Sequence, residues 1–101
     1  MKFIHYSSTT VLTSDIAADA VVEYAAVLAH DGEAEVIDVP AVDDDGVAII
    51  ERMLLGPASL IVVEPAPDDV LEPDDRDFAR ALAERARGPR RGPPDPPRTG
   101  L

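Results

Sequence analysis

A chain of 101 residues with 46% hydrophobic content has material for one modest core and not for two. It holds no cysteine and only two histidines, which excludes disulfides, thiol nucleophiles and the usual structural zinc sites. A formal net charge of −11 sets it against phosphate backbones as partners.

The charge is unevenly placed. Residues 1–75 carry 17 acidic side chains against 2 basic ones, Lys2 and Arg52, whereas residues 76–101 carry 7 arginines against 3 acids. The acidic body is therefore not expected to bind DNA. Aromatics make up 4% of the chain, so the core has to be built from Val, Ile, Leu and Ala. The longest apolar runs, Ala25 to Ala29 and Leu60 to Val63, fall far short of the ~20 residues of a membrane span. Met1 to Tyr6 lacks the apolar block of a secretory signal. The expectation is a soluble cytoplasmic protein with no membrane partner.

The segment KFIHY reads as a strand, and the hydroxyl-rich SSTT after it as a turn. VLT is short and apolar enough to return as a second strand. Ser14 or Asp15 can then cap a helix. Ile16, Ala17, Ala20, Val21, Tyr24, Ala25 and Leu28 recur at three- and four-residue spacing, the pattern of an amphipathic helix. Gly32 suits the left-handed residue that ends it. In EAEVIDV, Ile37 and Val39 flank Asp38, which predicts a strand with one wetter face, closed by Pro40.

Val47 to Leu55 is ambiguous by periodicity. A helix there is apolar almost all round, and a strand shows no strict alternation. Turn chemistry favours the strand. Asp45-Gly46 is a hairpin signal, and GPAS after Leu55 has the length of a second reversal, so that three successive strands form a meander. The helical alternative gives a flavodoxin-like β-α-β-α-β chain with a parallel sheet. After LIVVE, the prolines of PAPDDVLEPDD predict a loop. Asp74 to Arg87 reads as a second helix, with acids at its start, Arg85 and Arg87 at its end, and Phe78, Leu82 and Ala86 as its apolar stripe. Residues 88–101 form a Pro- and Arg-rich tail expected to be disordered.

Four candidate sites follow from the residues. Ser7, Ser8, Thr9 and Thr10 sit after a strand and ahead of a helix, the order in which this start of the chain resembles a flavodoxin; that likeness implies a phosphate- or flavin-binding loop. The loop has no glycine to let the backbone approach a phosphate closely, and a hydroxyl-rich hairpin turn is the simpler reading. Asp43-Asp44-Asp45-Gly46 invites a calcium loop, yet the positions that need an acid hold Ala41 and Arg52, so a solvated turn is expected and no metal. Arg90-x-x-Pro93-x-x-Pro96 and Arg91-x-x-Pro94-x-x-Pro97 have the spacing of polyproline ligands, against the plainer reading of a solvated tail. Seryl chemistry would need His5 or His30 as base, and nothing in the sequence links either to a serine.

Tyr6, Asp15, Gly32-Glu33, Asp45-Gly46 and the Pro57 turn together resemble the ordered landmarks of an uncharacterised family of short actinobacterial α+β proteins. That family has a Tyr-containing first strand, a short second strand, an Asp-started helix, then three strands and a final helix. The resemblance implies the strand reading of Val47 to Leu55. In place of the family's basic residues and tryptophan, this chain has His30-Asp31 and no tryptophan. Some members carry the label of an ATP-dependent DNA ligase. Ligase adenylation needs a lysine in a Lys-x-Asp-Gly setting, and the sole lysine, Lys2, is followed by Phe3 and Ile4.

The expectation is thus a single α+β domain over residues 1–87, with a mainly antiparallel sheet, one long helix packed on it and a C-terminal helix. Its expected role is a non-catalytic interaction module with a protein partner and no cofactor. The alternative role is a phosphate- or flavin-binding domain using Ser7 to Thr10.

Overall fold

The computed structural model describes residues 1–67 and 72–88. Five strands and two helices follow in the order β1 (Lys2–Tyr6), β2 (Thr9–Thr13), α1 (Asp15–Asp31), β3 (Glu35–Val42), β4 (Ala48–Leu55), β5 (Ile61–Pro65) and α2 (Arg76–Arg87). The sheet order is β4-β3-β2-β1-β5, and every pairing is antiparallel. The fold is α+β, and the parallel flavodoxin-like alternative does not form. The Pro/Arg-rich stretch after Gly88, with its two Arg-x-x-Pro-x-x-Pro spacings, lies outside the described residues.

Local chemistry sets the element ends. Ser14 caps α1, its Oγ accepting from the Ala17 amide, and Gly32 closes the helix at φ 68°, where only glycine escapes the Cβ penalty. Asp43 builds the β3–β4 turn: its Oδ1 accepts from the amides of Asp45 and Val47, and Gly46 supplies a φ of 81°. The β1–β2 turn is tighter, with Ser7 at φ 56° as the one non-glycine residue of positive φ among those described.

Helix α1 buries Ala17, Ala18, Val21, Tyr24 and Leu28 against Ile4, Val11, Ile37, Val39, Ala41, Met53 and Leu55. Ile16, expected on the apolar face, is 44% exposed, and Ala18 takes a core position instead. Helix α2 contributes Leu82, with Phe78 and Ala86 half-buried. Tyr24 ties the layers together. Its hydroxyl donates to Glu35 Oε2 at 2.6 Å, Arg85 of α2 pairs with the same carboxylate, and the Arg85 guanidinium lies 5.4 Å from the Tyr24 ring centroid, so a buried phenol keeps a partner for its polar end.

Two expectations fail. The meander stops at β4, because β5 does not pair with it and instead adds to β1 at the far edge. Pro40 does not close β3, which continues to Val42. In an antiparallel ladder, alternate residues turn both backbone groups toward one neighbour. The turn bond from the Asp43 amide to the Val47 carbonyl shows that odd-numbered residues of β3 and β4 bond each other. Pro40 therefore faces β2, and its missing N–H costs the β3–β4 ladder nothing. It ends the β2–β3 ladder, which has the single partner pair Leu12 and Val42; the Pro40 carbonyl accepts from Thr13 Oγ1 at 2.6 Å.

Beyond that corner the β3–β4 ribbon folds back sharply. By register, Leu54 stands nine positions along and three strands across from Tyr6, about 30 Å away in a flat sheet at ~3.3 Å per residue. Instead the Tyr6 hydroxyl donates to the Leu54 carbonyl at 2.5 Å and accepts from the Leu54 amide at 3.2 Å. The five residues from Gly56 to Leu60 then suffice to reach β5 beside β1.

Candidate interaction surface

Because β4 is an edge strand, half of its backbone groups point away from the sheet. The alternation assigns these to Ala48, Ile50, Arg52 and Leu54. Both groups of Leu54 are taken by the Tyr6 hydroxyl, and Ser59 Oγ donates to the same carbonyl at 3.0 Å. The edge is thereby closed at its C-terminal end. Between that closure and the Asp43–Gly46 turn, the stretch Ala48–Arg52 has no partner strand among the described residues. The opposite edge is shorter. Strand β5 has five residues and ends at Pro65, which has no donor to offer.

The two faces flanking this open edge differ. On one, Ile50 and Leu54 are 64% and 54% exposed, and Val36, opposite Leu54, is 55% exposed. The cross-strand pair Arg52–Asp38, Nε to Oδ1 at 2.9 Å, interrupts this apolar face, and the guanidinium holds the Asp38 carboxyl below its ordinary value. A cleft of about 370 Å³ continues the face, lined by Pro40, Val42, Ala48, Ile50 and Pro73, with Ser14 and Asp75 at its wall. Ser14 Oγ donates to Asp75 Oδ2 at 2.5 Å, so one hydroxyl caps α1 and also fixes the approach to α2. A second hollow of about 290 Å³ is bordered by Ile49 and Glu51 of the opposite face, by Asp43 and Asp44 of the turn, and by Phe3, which the register sets on the Ile50 side.

Nearby, the Met1 ammonium donates to Glu72 Oε1 at 2.8 Å and lies 3.1 Å from Asp15 Oδ1. The Glu72 carboxyl also accepts from the Asp15 amide. Both bonds hold Glu72 below its ordinary value, the ammonium contributing more, and the ammonium is raised in return.

The structure divides the sequence-predicted loop. Ser7 and Ser8 form the two-residue turn, Thr9 and Thr10 begin β2, and all four are exposed. The N-terminus of α1 lies at the other end of β2, where Ser14 and Glu72 already accept from its first amides. Hydroxyls and helix start are thus not brought together. Asp43, expected in a solvated turn, has its Oδ1 engaged in that turn, and among the described residues no group of three His, Cys, Asp or Glu side chains stands ready for a metal. No described helix is long and apolar enough to cross a membrane.

One polar cluster escaped sequence reading. His5 Nδ1 lies 3.2 Å from Thr10 Oγ1, and its Nε2 lies 2.5 Å from Glu64 Oε1. The order hydroxyl, imidazole, carboxylate is that of a nucleophilic relay. Here it spans three paired strands, with His5 opposite Thr10 on one side and diagonal to Glu64, two positions beyond its partner Val62, on the other, and it laces β5 to the β1–β2 hairpin. Neither the sequence spacing nor the residue types announce it; only strand order does. Comparison with protein-family models, curated proteins and solved structures finds no match to the chain.

Proposed function

We propose that this protein is a non-catalytic interaction module that receives an extended segment of a partner protein along the edge of β4. The observation that carries this reading is the open stretch Ala48–Arg52, flanked by exposed Ile50 and bounded by the hydroxyl closure at Leu54. A strand added there gains main-chain hydrogen bonds from Ala48, Ile50 and Arg52 without disturbing the β3–β4 ladder. Proteins blunt an edge they do not use. Tyr6 blunts one end of this one and leaves the middle open.

Calorimetric titration with a blocked seven-residue peptide of alternating lysine and valine tests the reading. Binding is expected to the native protein and to be lost in Ile50→Pro, which removes one outward donor while sparing the bonds to β3. Equal binding by the two proteins would refute it.

A further inference from the structure

Resting on that reading, we infer that the strand docking on β4 is itself two-faced, with apolar residues alternating with lysine or arginine. Side chains of an added strand continue the two faces of the strand it joins. A residue set opposite Ile50 stands on the Ile50 face, one strand spacing further out, beside the cleft walled by Pro40 and Pro73. That cleft is apolar on most of its lining and accepts an aliphatic side chain. The neighbours of that residue stand on the face of Glu51, which with Asp43 and Asp44 of the adjoining turn borders the second hollow. Side chains there meet carboxylates and are favoured when cationic.

The charge of the whole chain acts in the same direction. With 17 acidic and 2 basic side chains over residues 1–75, the body draws a basic segment and repels an acidic one. The same repulsion opposes a second copy of this chain. Pairing β4 with β4 about Ile50 would bring together two acidic bodies and would set no basic side chain against Asp43 or Asp44. The favoured occupant is therefore a basic, alternating segment of another protein.

Three blocked peptides separate the claims: alternating lysine–valine, the same residues as a lysine block followed by a valine block, and alternating glutamate–valine. The alternating lysine peptide is expected to bind at least tenfold more tightly than the block peptide, and the glutamate peptide not to bind. Glu51→Gln, at a half-buried position of β4, is expected to weaken the first several-fold and to reduce its salt dependence. Equal affinity of the alternating and block lysine peptides overturns the inference, since attraction by net charge alone then suffices. Binding of the glutamate peptide overturns it as well.

Ile50→Pro distinguishes the two levels. If that variant abolishes binding while peptide pattern makes no difference, edge pairing stands and the two-faced partner falls. If it changes nothing, edge pairing itself falls. Should Ile50→Pro not fold, a lysine–valine peptide with N-methylated valines replaces it, and undiminished binding of that peptide counts against pairing. Sedimentation of the protein alone completes the test: a dimer that Ile50→Pro dissociates would make the occupant a second copy and overturn the inference.

Discussion

Replacing Tyr6 by phenylalanine keeps the ring and removes only the hydroxyl that holds the two ends of the curled sheet together. Two hydrogen bonds are lost, one to the Leu54 carbonyl and one from its amide. A typical intramolecular bond contributes about 0.5–1.5 kcal/mol net. Both values belong at the low end here, because Tyr6 is half-buried and water can reach the vacated groups, and because Ser59 Oγ still serves the Leu54 carbonyl. The expected loss is about 1 kcal/mol, or roughly 4–8 °C in Tm for a domain of this size, measured by thermal denaturation followed by circular dichroism. Hydrogen exchange supplies the local signature, since the Leu54 amide should lose protection while those of Met53 and Leu55, bonded to β3, keep theirs. A Tm equal to that of the native protein, with Leu54 exchange unchanged, would refute the closure of the edge by Tyr6. The same substitution lengthens the open edge by one residue pair, so it should strengthen binding of the lysine–valine peptide.

Other substitutions probe the remaining joints. Ser7→Gly relieves a left-handed residue that costs about 1–2 kcal/mol and gives back about 0.5–1 kcal/mol in chain entropy, so urea denaturation should show a small net stabilisation. Ser14→Ala removes the α1 cap and the partner of Asp75, and should cost about 1–2 kcal/mol in the same assay. Glu72→Gln tests the ammonium cluster by its pH dependence. Glu72 is held below 4.5 and the Met1 ammonium above 8.0. The carboxylate contribution is complete above 4.5 and lost as pH falls through its lowered value; the ammonium contribution is complete below 8.0 and lost as pH rises through its raised one. The difference in Tm between native protein and variant should peak between those limits and shrink on either side, whereas a difference constant with pH would contradict the pairing.

Features decided by a few neighbouring residues were legible in the sequence. A cap at Ser14 or Asp15, Gly32 as helix end and Asp45-Gly46 as hairpin turn all follow from backbone chemistry within one turn of chain, and each stands where expected, the cap being Ser14. Pairing decided across the sheet was not legible. The run GPAS reads as a reversal between neighbours, but β5 skips β4 because the ribbon has folded back and delivered Leu55 to the side of β1. Pro40 shows the same limit from another direction. A proline stops only the ladder its own nitrogen would have joined, and which side that is depends on register. The candidate surface inherits this difficulty. Ile50, Leu54 and Val36 are ordinary strand residues in sequence, and only strand order leaves them uncovered. Tyr6 is a strand residue as well, and only the curl of the sheet sets its hydroxyl against Leu54.

Amide hydrogen exchange along β4, with and without the lysine–valine peptide, tests the account most directly. In the free protein the amides of Ala48, Ile50 and Arg52 should exchange rapidly and those of Ile49, Glu51 and Met53 slowly. With peptide bound, the first three should slow markedly while the second three change little. If Ala48, Ile50 and Arg52 remain as fast in the saturated complex as in the free protein, the partner does not pair with this edge and the proposed function is wrong.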